Sequence, residues 1–173
     1  MIWAKGVGEF YSAASLLKKK KVKAKFVLVG KPDIENPSSI SREQLLSWDK
    51  SGIIEWWGYK ENMVEVFQQS SIVTLPSFYG EGIPKVLVEA MAFSKPIVTT
   101  HMPGCKDLVF EESNGLLVKP KDIIGLANAL EKLILDPKLC EQMGRKGREI
   151  ACRKYDQRKI IGKTLNLYSN EEF

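Results

Sequence analysis

No stretch of roughly 18 consecutive apolar residues occurs in the 173-residue chain, which excludes a membrane-spanning helix of ordinary length. The opening MIWAKGVGEF lacks the basic start and apolar stretch of a signal peptide, so a cytosolic chain is expected. Cysteine and histidine are scarce, at 3 and 1 residues. Cys105, Cys140 and Cys152 form no C-x-x-C pair, and with His101 alone they make no zinc constellation, so they read as reduced thiols. His101 reads as a loop residue rather than a catalyst. Metal, cofactor and redox chemistry are not indicated, and no internal repeat, low-complexity tract or interdomain linker divides the chain.

What is present suffices for one core. With 44% hydrophobic and 27% charged residues, the chain is expected to form one domain over residues 1–173. The net charge is +5, and much of it sits in KKKKVKAK, Lys18 to Lys25. That run reads as a solvated helix C-terminus offsetting the negative end of the macrodipole, or as a docking surface for anionic lipid. Nucleic acid is the third reading, but no aromatic or glycine pattern of a nucleic-acid module accompanies the lysines.

Apolar periodicity supplies the elements. Val7, Phe10, Tyr11, Ala14 and Leu17 recur at helical spacing, and Phe26 to Val29 follows as a buried strand ending at Gly30. Next come a short helix from Ser38 to Trp48, a strand from Ile53 to Trp57, and a helix from Asn62 to Gln69. Ile72 to Leu75, Ile97 to Thr100 and Leu116 to Val118 read as strands, with a helix over Val86 to Phe93. The tail reads as helices from Asp122 to Leu135 and from Pro137 to about Tyr155, with one more piece after Asp156. Short β-branched strands alternating with helices predict a doubly wound parallel α/β sheet, because each parallel crossover needs a helix to return the chain. Ligands in such sheets bind beyond the carboxyl ends of the strands.

The loop after the third strand, Pro76 to Ile83, carries glycines at 80 and 82 and leads through Pro84 into an apolar helix. Unpaired amides of Gly82, Ile83, Lys85 and Val86, with the positive helix end, suit a diphosphate. Glu81 precedes that helix, and Glu89 follows Pro84 by about 7 to 8 Å along the axis at about 1.5 Å per residue. Carboxylates are strong acceptors for hydroxyl groups, so the pair suits a nucleoside diphosphate sugar, with hydroxyls at both ends and phosphates between. The bland alternative is that Glu81 only complements the helix dipole and Glu89 pairs with Lys85 at i, i+4. Lys5 alone is an ordinary lysine before a helix. Trp56, Trp57, Phe78 and Tyr79 read as core, or as the wall of a sugar cleft.

EGIPKVLVEAMAFSKPIVTT resembles the E-x7-E region of retaining GT-B glycosyltransferases, family 4, and the likeness continues through PGCKDLV and NGLLV and back to Lys5-Gly6-Val7. The resemblance implies the C-terminal, donor-binding half of a GT-B fold. In it Glu81 binds sugar hydroxyls near the transferred carbon, Glu89 the ribose, and Lys5 the diphosphate, with amides from Gly82, Ile83 and the start of the helix at Lys85. Gly30, Tyr59 and Lys60 fall at the base pocket, and Pro84 stands where many members have glycine, removing one amide donor. Lysine rather than metal would carry the diphosphate charge, since no Asp-x-Asp pair occurs. The GIPKVL and TT-x-x-PGC versions most resemble bacterial members that extend lipid-linked glycans from UDP-hexose or UDP-N-acetylhexosamine.

In the family a phosphate-binding arginine precedes the matching lysine by five positions at the end of a central strand. That arginine, most of its strand and the acceptor domain are therefore expected to be missing, leaving open strand edges and little or no transfer by the chain alone. A split enzyme needing a partner chain, a non-catalytic nucleotide-binding remnant, and a basic adaptor acting through Lys18 to Lys25 are the other readings. Contact with the inner face of the cytoplasmic membrane is compatible with the first.

Overall fold

The computed structural model describes residues 1–110, 113–156, 158 and 161. A 3-10 turn over Trp3–Lys5 ends at Gly6, whose φ of 74° swings the chain into helix α1, Val7–Lys19. Val7, Phe10, Ala13, Ala14 and Leu17 are the buried stripe of α1, following helical spacing. Its end is a Schellman cap: the Val22 amide donates to the Leu17 carbonyl at 3.0 Å and the Lys21 amide to that of Lys18 at 2.9 Å, with Lys21 at φ 61°. Part of the lysine run is thus a helix terminus, as the macrodipole reading expects.

The remaining elements alternate. They are β1 (Val27–Leu28), α2 (Arg42–Lys50), β2 (Glu55–Trp56), α3 (Met63–Gln69), β3 (Val73–Leu75), α4 (Lys85–Ala92), β4 (Ile97–Thr100), a 3-10 turn (Lys106–Leu108), β5 (Gly115–Val118), α5 (Ile123–Leu135) and α6 (Pro137–Lys154). Every strand pair is parallel, which bears out the α/β class. The strands fall into a sheet of β1 and β2 and a sheet ordered β3-β4-β5. Among the described residues, no strand pairs with the second edge of β1 or β3. β1, at two residues, is shorter than its apolar run. β4, paired on both sides, is wholly buried, whereas each residue of β3 is partly exposed.

One boundary differs for a clear reason. α2 starts after Ser41, whose hydroxyl accepts the Gln44 amide at 3.1 Å, and not at Ser38. The Ser38 carbonyl instead accepts the Trp3 amide at 2.8 Å, and Ser38 lies in a turn that leads to a single bridge between Ser39 and Ile2. The helical piece expected after Asp156 falls on residues 157–173, which apart from 158 and 161 lie outside those described.

One apolar cluster gathers α1, α5 and the first sheet, and a second lies between α4 and α6. α6 approaches α4 closely because Gly144 has no side chain: a Cβ there would stand 2.1 Å from the Ser94 carbonyl oxygen. Among the described residues no helix is long and apolar enough to cross a membrane.

Candidate functional site

β3 delivers the chain into the loop that carries Glu81, and the N-terminal turn is fastened to that loop. The Phe78 amide donates to the Ala4 carbonyl at 3.0 Å. Gly6 presses against Pro76 so closely that a Cβ would lie 2.0 Å from its carbonyl oxygen. From β4, the Thr100 hydroxyl donates to the Ser77 carbonyl at 2.5 Å. These long-range contacts bring Lys5 within reach of Glu81.

The Lys5 ammonium donates to Glu81 Oε1, making an ion pair with side chains 37% and 13% exposed. The fully buried Ser77 hydroxyl lies 3.0 Å from the same oxygen. Behind the loop, the Glu81 amide donates to the Pro103 carbonyl at 3.2 Å. Gly104, at φ 80°, sits where a Cβ would lie 1.8 Å from the Gly82 carbonyl oxygen. Nearby Cys105 is buried, and burial pushes its thiol pKa up against the opposing hydrogen bond with Thr99.

Pro84 caps α4 in extended conformation. Among the described residues no protein acceptor takes the amide hydrogens of Gly82, Ile83, Lys85 or Val86, while those of Leu87 and Val88 go to the Pro84 carbonyl at 3.0 and 3.4 Å. The helix start therefore has the free amides its sequence suggests, and Gly82 and Ile83 are exposed. α4 buries only Leu87, Ala90 and Met91. Glu89 lies off that buried face and pairs with Lys85 at 3.4 Å, the i, i+4 pairing that was the bland alternative for it.

Gly30, Tyr59 and Lys60 gather at the carboxyl ends of β1 and β2. The Gly30 amide donates to the Gly58 carbonyl at 2.7 Å, and the Trp56 indole donates to the Gly30 carbonyl at 2.8 Å. Gly30 thus keeps only a second carbonyl lone pair for a ligand. Tyr59 is exposed, with the Lys31 ammonium 5.4 Å from its ring centre, and Lys60 is exposed as well. Among the described residues no hydrogen bond or ion pair joins this group to Lys5, Glu81 or Glu89. Thr100, Gly6 and Gly104 were not singled out by sequence reading, because their partners lie far along the chain; nor was Ser77, whose partner Glu81 is only four positions on but whose burial depends on distant segments.

Parallel sheets flanked by helices, with a glycine loop leading from a strand end into an apolar helix, define an α/β domain of the kind found as the C-terminal half of GT-B glycosyltransferases. The model of the family described as glycosyl transferases group 1 matches residues 1–150, and the chain belongs to that family. It is 38% identical over 167 residues to the N,N'-diacetylbacillosaminyl-diphospho-undecaprenol alpha-1,3-N-acetylgalactosaminyltransferase of Campylobacter jejuni, covering 96% of this chain and 42% of that protein. Its fold matches Anabaena HepE in complex with UDP and glucose at a TM-score of 0.84 and 21% identity, over 98% of this chain and 46% of that one. The C-terminal domain of the glycosyl transferase group 1 family protein LpcC from Francisella tularensis matches at a TM-score of 0.73 and 25% identity, over 91% of this chain and 83% of that one.

Proposed function

We propose that this chain is the donor-binding half of a retaining glycosyltransferase that moves a hexose or N-acetylhexosamine from a UDP sugar to a lipid-linked or glycan acceptor. The observation that carries the reading is the Lys5–Glu81 pair in the loop that opens into the unpaired amides of α4. A cation and amides suit a diphosphate, and a carboxylate suits sugar hydroxyls. On donor binding Lys5 moves to the diphosphate and Glu81 to the sugar, so both residues exchange one another for parts of the ligand. Lys5 and the amides of Gly82, Ile83 and Lys85 then stabilise the charge that develops on the departing nucleotide diphosphate. Glu89 exchanges Lys85 for ribose hydroxyls, and Gly30, Tyr59 and Lys60 border the base. The Campylobacter relative, named for N-acetylgalactosaminyl transfer to an undecaprenol-linked sugar, supports the donor and acceptor classes, and HepE, solved with UDP and glucose, supports the nucleotide.

The chain spans 42% of that relative's length, which supports an acceptor site supplied by further polypeptide, joined or separate. The edges of β1 and β3 that have no partner strand among the described residues support the same reading. Transfer by this chain alone is then very weak. Exposed Lys19, Lys21 and Lys23 favour work at the anionic inner face of the cytoplasmic membrane.

Calorimetric titration of UDP, UDP sugars and GDP sugars into wild type and Glu89→Ala tests the proposal. Binding of UDP ligands that Glu89→Ala abolishes without unfolding supports it; a folded wild type that binds none of them overturns it.

A further inference from the structure

We propose that Ser77 is a positioning residue that holds Glu81 in its sugar-binding orientation once Lys5 has left it for the diphosphate; this rests on the donor-site reading above. The Ser77 hydroxyl is fully buried and lies 3.0 Å from Glu81 Oε1, 3.1 Å from the Ala4 carbonyl and 3.1 Å from the Tyr79 carbonyl. It has one proton, so it donates to one of these at a time. The carboxylate is the charged and stronger acceptor, and the Ala4 carbonyl already receives the Phe78 amide at 3.0 Å. The Tyr79 amide donates to the Ser77 oxygen at 3.3 Å, which helps turn its proton toward Glu81.

The two partners of Glu81 differ in what holds them. Lys5 is 37% exposed on a flexible stem and can follow a ligand. Ser77 cannot, because Thr100 from β4 clamps its carbonyl at 2.5 Å and its side chain is enclosed. Both partners act on Oε1, and among the described residues nothing donates to Oε2, so Oε2 is the oxygen open to a hydroxyl. With Lys5 gone and Ser77 absent, nothing fixes rotation about the terminal carboxylate torsion, which has broad wells. The loss concerns the sugar alone, since UDP has no group for Glu81 to bind.

The test is calorimetry of UDP and UDP-N-acetylgalactosamine on the full chain as wild type, Ser77→Ala, Glu81→Ala and the double variant. Ser77→Ala is expected to keep the UDP Kd within about twofold and to cut the added affinity from the sugar by about tenfold or more, the scale of one hydrogen bond to a charged group. In the Glu81→Ala background, which leaves no side-chain acceptor, it is expected to have no further effect, because it acts through that carboxylate. Ser77→Cys, close in size and a weak donor, carries the same comparison if the alanine variant does not fold. Equal losses for UDP and the UDP sugar, an effect that persists without the Glu81 carboxylate, or no effect at all overturns the proposal while the donor site stands. A folded wild type that binds neither ligand removes the donor-site reading and this proposal together.

Discussion

Lys5 and Glu81 lie 76 positions apart and meet as an ion pair in which Lys5 is the more exposed partner. Water at the 37% exposed Lys5 screens the pair although Glu81 is largely enclosed, so its contribution to folding is about 1 kcal/mol. Its removal therefore separates stability from binding. Lys5→Ala is expected to shift the thermal midpoint only slightly and to weaken UDP about tenfold or more, measured by calorimetry beside a melting curve.

Gly104 supports the Glu81 loop from behind. Gly104→Ala places a Cβ 1.8 Å from the Gly82 carbonyl oxygen at a φ of 80°, which few residues other than glycine adopt. Strain and overlap together are expected to cost about 2 kcal/mol or more, read from urea unfolding. Nucleotide binding is expected to fall as well, because relief requires the loop to move.

Asn114 is fully buried at the entry to β5. Its side chain donates to the Leu108 carbonyl at 2.8 Å and accepts the Phe110 amide at 2.8 Å. Asn114→Ala leaves both groups without that partner, and a loss of about 2–3 kcal/mol is expected in urea unfolding.

Cys105 makes stability fall at alkaline pH. Burial raises its thiol pKa in the folded chain, so its contribution is fully present below the unfolded thiol value of about 8.5 and is lost as pH rises through the higher folded value. Wild type is expected to lose stability more steeply than Cys105→Ala as pH rises above the unfolded thiol value of about 8.5, as urea midpoints at a series of pH values will show. Alkylation at neutral pH is expected to label exposed Cys152 first and buried Cys105 only on unfolding.

Elements with a strong local signal were legible in advance. β4 is found at Ile97–Thr100, as its apolar run predicts, and α5 and α6 start after Asp122 and Asp136, whose side chains cap the Gly125 and Leu139 amides. The resemblance carried Lys5 and Glu81 separately to a donor site, and their direct pairing is the structure's addition. The choice between Ser38 and Ser41 as a cap was not legible, because a backbone bond from Trp3 settled it.

Periodicity, caps and glycine loops act over a few residues, so the chain's order alone sufficed for a parallel α/β domain with a glycine loop before an apolar helix. Tertiary structure divided the strands into two sheets, brought Lys5 to Glu81, enclosed Ser77 and set Gly104 behind Gly82. These features depend on which distant segments come within a few ångströms, and close approach is decided by how the whole core fills space.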